Sequence, residues 1–166
     1  MSPGADHPLS RFGTAFRVGS TSYVYPEDIL PNVEKLAAGG DVDDVELVLF
    51  EVDDGPNNLP GPDIVRRLAD LAAQHGLTYT VHLPLDLCLG AEGGMQHASL
   101  VKAERVIKAT LPLAPYAFVL HLDGEGVGGP DWLPRAVRAL EMVAGWAGKP
   151  GSAGCREPGS VGPGLS

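Results

Sequence analysis

The sequence predicts an α/β fold of parallel strands, about four β/α units long, followed by a disordered C-terminal tail. Three observations carry that reading. Short apolar runs alternate with stretches that have one apolar helical face, in the order β-α-β-α-β-α-β-α and at intervals of roughly 30–40 residues. The loops after the strands are long and polar, whereas the turns after the first two helices are short and contain glycine. Three strands end in a side chain able to do chemistry: Glu51, His82 and His121. Parallel strands joined by right-handed crossovers account for the first two observations. The third fits both parallel barrels and open sheets, where sites form at the carboxyl ends of strands.

Length and charge narrow the function. The chain has 166 residues, enough for one domain with a real core. Its net charge of −9, from 12 basic and 21 acidic residues, argues against a nucleic-acid partner or an anionic membrane surface. No apolar run approaches the roughly 20 residues that a spanning helix needs. Residues 1–14 are polar and irregular and read as a flexible leader without the apolar centre of a signal peptide. Cys88 and Cys155 show no CxxC spacing, so a reducing, cytoplasmic setting is expected.

The first strand is expected at Phe16–Val24, with Gly19 and Ser20 allowing close backbone approach. Tyr25–Asp28 then opens a helix, with Pro26 and two acids in its first turn. Ile29, Leu30, Val33, Leu36 and Ala37 share its apolar face, and Gly39–Gly40 stops it. Strand two spans Val45–Val52, and a loop dense in turn residues runs to Gly61. Helix two covers Pro62–His75 with Gly76 as its cap, and strand three follows at Leu77–His82. Helix three spans about Met95–Leu111 and strand four Ala117–Leu122. Asp131 caps a last helix that ends at Ala147, with Leu133, Ala136, Val137, Leu140, Val143 and Ala144 as its buried stripe. Residues 15–148 thus form the folded unit. Residues 149–166 are dominated by Gly, Pro and Ser, show no apolar period and are expected to be disordered where a fifth strand is due.

His82 and His121 each close an apolar strand, where a core role suits histidine poorly and a pocket role suits it well. Pro84 reinforces the end of strand three, because it has no N–H to donate to a ladder. Glu51 offers a carboxylate from the neighbouring strand end, and Ser20, Thr21 and Asp86 are candidate substrate contacts. Neutral imidazole and carboxylate suit zinc or manganese. His75 beside its glycine cap reads as a helix-dipole partner. Asp123 reads as a turn residue, and the spaced glycines of 124–129 lack the Lys-Ser/Thr of a phosphate loop. Cys88 has no basic neighbour in sequence to activate it.

Phe16–Tyr23, Val42–Glu51, Leu77–Leu87 and Val119–His121 together resemble the cobamide-remodelling phosphodiesterases. That family belongs to the xylose-isomerase-like barrel superfamily, with endonuclease IV and many sugar isomerases. The resemblance covers Phe16–Gly148 and implies the N-terminal half of an eight-stranded (β/α) barrel, a (β/α)4 half with its four strands in sequential order. It implies hydrolysis of the nucleotide-loop phosphodiester of a cobamide, to cobinamide phosphate and the α-riboside. It also implies a divalent metal on His82, His121 and Glu51. The strands that carry the superfamily's remaining ligands are absent, so a truncated, non-catalytic fragment is an alternative, and a sugar-phosphate isomerase or epimerase is another. The open strand edges suggest self-association. Val18, Leu47 and Val81 are expected on an inner face that has lost its opposite wall, leaving a half-core of low stability.

Overall fold

The computed structural model describes residues 16–50, 57–122 and 127–148. The leader and tail readings, Glu51 and Asp123 therefore lie outside the described residues. Four β/α units follow one another: β1 (Gly19–Thr21), α1 (Ile29–Gly39), β2 (Asp44–Val48), α2 (Pro62–His75), β3 (Thr78–His82), α3 (Gly93–Thr110), β4 (Ala117–Val119) and α4 (Trp132–Ala147). The strands are parallel and lie in the order β1-β2-β3-β4. Sequential order is that of a barrel wall; a doubly wound sheet would reverse direction at its switch point.

Alternation along β2 and β3 sorts the two faces of the sheet. Val45, Leu47, Tyr79 and Val81 are buried, and they join α1, α2, α3 and α4 in one apolar cluster. The helices pack in series, α1 on α2, α2 on α3 and α3 on α4, as a single layer on that face. The intervening residues Asp44, Glu46, Thr78, Thr80 and His82 face the other way and are only half-buried. This corrects the expected placement of Leu47 and Val81. Both are fully buried against the helices, so their core exists without any opposite wall, and the inner face is polar instead.

Helix two and strand three appear where punctuation is strongest. Pro62 opens α2 after Gly61, and Gly76 ends it at φ 64°, a left-handed conformation that a side chain would strain. Strand β1 is shorter than the expected Phe16–Val24 and β4 shorter than Ala117–Leu122. Both lie at the edges of the described sheet, where Val24 and Leu122 stay exposed. Helix α1 starts at Ile29 rather than at Tyr25, because the Asn32 side chain captures the backbone of the preceding turn. Its amide donates to the carbonyls of Tyr25, Glu27 and Asp28 at 3.1, 2.9 and 3.2 Å and accepts the Tyr25 N–H at 2.8 Å. In α4 the buried side is Ala136, Ala139 and Val143, whereas Leu133 and Val137 of the expected stripe are 63% and 45% exposed. Small Ala136 and Ala139 occupy the buried side, and the larger Leu133 and Val137 face outward. Among the described residues no helix is long and apolar enough to cross a membrane.

Two local packings give testable expectations. A Cβ on buried Gly90 would overlap the Trp132 indole, so the loop after β3 and the start of α4 meet only because residue 90 has no side chain. Gly90→Ala should lower stability by about 1–3 kcal/mol in urea unfolding, and a smaller residue at 132 should restore part of it. The Tyr79 phenol donates to the Leu68 carbonyl at 2.7 Å. Burial first, and then the Asp44 charge, push its pKa upward. A raised phenol contributes stability that is complete below the unfolded pKa of about 10 and is lost as pH rises beyond it. Tyr79→Phe should therefore flatten the alkaline limb of a stability-versus-pH curve.

Candidate functional site

His82 is the last residue of β3, between Val81 and Leu83, both fully buried toward the helices. The strand period therefore turns its imidazole onto the polar inner face. Hydrogen bonds on both sides hold this strand end: the Leu49 N–H donates to the His82 carbonyl at 3.1 Å, and the Leu83 N–H donates to Val119 at 2.9 Å. His82 pairs in register with Val119, so His121, two residues further on, emerges on the same face. The two rings meet, with centroids 5.1 Å apart and planes tilted by 40°. Their Nε2 atoms are 3.1 Å apart.

The His82 Nδ1 lies 2.7 Å from the Leu83 carbonyl, which can only accept, so Nδ1 carries the proton. The Nε2 lone pair of His82 is thereby presented to His121. In the neutral pair it accepts the His121 Nε2–H. With His121 in the other tautomer, two lone pairs converge on one point. Two imidazole nitrogens at about 2.0–2.1 Å from one divalent ion would stand roughly 3 Å apart, so the spacing fits. His121 is exposed and His82 half-buried, which leaves the pair open to a ligand from the inner face.

The remaining donors are less complete. Among the described residues no group of three His, Cys, Asp or Glu could hold a metal ion. The expected third ligand, Glu51, lies outside the described residues. Thr21 pairs with Glu46 and so shares the inner face, whereas Ser20 pairs with Val45 and lies on the helix side. The Asp86 carboxylate is tied to Lys102 of α3 at 2.7 Å, with the lysine side chain only 12% exposed. Of the six candidate residues, the structure brings His82 and His121 into contact.

Two asparagines and a serine organise the rim. Asn58 accepts the Phe50 N–H at 2.7 Å and donates to the Val48 carbonyl at 2.8 Å and the Tyr23 hydroxyl at 2.6 Å, joining the loops after β1 and β2. Ser22 is fully buried and accepts the Val48 N–H at 3.2 Å. Asn32 holds the β1–α1 turn as described above. In the sequence alone Asn58 is one turn residue among several, and no motif marks Asn32 for a role. The available signal for Asn32 was its place on the same arc as Ile29, Val33 and Leu36, where a polar side chain must find partners.

No family model matches the chain, and no curated protein matches it. Among solved structures it is similar to a D-psicose 3-epimerase from Clostridium cellulolyticum H10, determined with D-tagatose, at TM-score 0.62 and 16% sequence identity. The match covers 80% of this chain and 48% of that one, so the chain spans about half the length of that structure. The described residues therefore have the fold of part of a parallel (β/α) barrel wall, strands inside and helices outside.

Proposed function

We propose that this chain carries the strand-end histidines of a divalent-metal site in a phosphodiesterase that acts on cobamides. The observation that carries the reading is the convergence of the His82 and His121 Nε2 atoms at the carboxyl ends of adjacent parallel strands. The resemblance of Val42–Glu51 and Leu77–Leu87 supplies the substrate class. A bound zinc or manganese ion would neutralise phosphodiester charge and supply a water of lowered pKa. The chain's own residues do the rest. The Leu83 carbonyl holds the His82 proton on Nδ1 and keeps Nε2 available as a ligand. Thr21, on the same face, offers a hydroxyl to a phosphate oxygen, and the rim held by Asn58 fixes the mouth. Glu51 would complete a ligand set of two histidines and one acid.

A second reading is a sugar-phosphate isomerase or epimerase, favoured by the fold shared with the D-psicose 3-epimerase. Cobamide cleavage to cobinamide phosphate and the α-riboside, assayed beside keto-sugar epimerisation and metal content, separates the readings. Metal-dependent cobamide cleavage is the expected result. Epimerisation alone would favour the second reading, and neither activity with no metal bound would leave a non-catalytic fragment. His82→Ala should reduce zinc affinity by at least about a hundredfold, since loss of even an outer-shell partner costs about 10–100-fold.

A further inference from the structure

We propose that two copies of this chain associate about a two-fold axis parallel to the strands, with β4 of each beside β1 of the other, and so close a single barrel. The proposal does not depend on which reaction the site performs. It starts from the backbone of the two outer strands. Val18 accepts from the Asp43 and Asp44 amides and Ser22 donates to Glu46, so Val18 and Ser22 bond inward to β2. Parallel alternation then turns the N–H and C=O groups of Gly19 and Thr21 outward. Likewise Val119 accepts from Leu83, which leaves the groups of Phe118 facing away from β3. Among the described residues no strand pairs with either outer edge.

Exposed apolar residues gather at the same two flanks. Phe16 is 67% exposed, with Tyr23 and Val24 at the other end of β1. Tyr116 is 66% exposed just before β4, and Leu133 and Val137 are 63% and 45% exposed on α4. Each flank alone is a liability. A two-fold axis along the strands joins them and keeps all pairs parallel. The two seams it makes are identical, so the assembly closes and leaves no edge.

Closure has a consequence for the site. Both His82–His121 pairs would face one lumen at the same mouth. The closed assembly would thus set four strand-end histidines around one opening.

Sedimentation equilibrium of the 166-residue chain tests this directly. The expected mass is twice the chain's 17.3 kDa, independent of concentration well above the dissociation constant. Leu133→Glu combined with Val137→Glu changes only exposed positions of α4 and should weaken dimerisation by about a hundredfold or more, with circular dichroism unchanged. Hydrogen exchange supplies the second readout: the Gly19, Thr21 and Phe118 amides should be protected in the wild type and should exchange faster in the double variant. A monomer, an open series of larger assemblies, or a dimer whose three amides exchange freely would each overturn the proposal. If the double variant misfolds, the wild-type mass and exchange decide the question alone.

Discussion

Asn32→Ala is expected to lower the free energy of unfolding by about 3 kcal/mol, among the largest effects of any single polar substitution in the chain. Asn32 is fully buried and satisfies one amide and three carbonyls of the turn that leads from β1 into α1. Each buried group left without a partner costs roughly 1–3 kcal/mol. Alanine removes all four side-chain bonds at once, while the Tyr25 carbonyl keeps the Glu27 N–H and the Asp28 carbonyl keeps the backbone N–H of residue 32. Asn32→Asp should be no better, because a carboxylate would face three carbonyl oxygens. Urea denaturation measures the loss, and hydrogen exchange at Tyr25 locates it. A shift below about 0.5 kcal/mol would show that the turn is held by other means.

Leu47→Ala should cost about 2–5 kcal/mol, while Glu46→Ala one residue away should stay within about 0.5 kcal/mol. Leu47 is fully buried in the centre of β2, in register with fully buried Val81, and belongs to the cluster that joins sheet and helices. Glu46 points to the polar inner face. The contrast tests which side of the sheet holds the core. Equal losses at both positions would mean that the inner face also contributes packing.

The parts of the fold that could be read from sequence are those decided locally. Pro62 and Gly76 bracket α2, and its apolar stripe is regular, so its bounds match the expectation residue for residue. His82 and His121 were legible because a histidine at the end of an apolar strand has few other uses. What failed to be legible depends on neighbours distant in sequence. The period of α4 identifies an apolar arc but not which part meets the sheet, and small Ala136 and Ala139 took the place expected for Leu133 and Val137. Alternation in β2 and β3 separates two faces without saying which one the helices cover. The bonds of Asn58 span from Tyr23 to Phe50, so nothing local marks it as more than a turn residue.

The most direct test of the histidine pair is a titration of zinc, and separately manganese, into the chain. Zinc should be followed by the imidazole nitrogen resonances of His82 and His121, and manganese by paramagnetic broadening of the same signals. With Nε2 atoms 3.1 Å apart, a shared ion should make the two signals respond together, at the same ion concentration. The His82→Ala variant should then lose the response at His121. No response at either ring, or an unchanged response at His121 in the His82→Ala variant, would contradict a shared metal site.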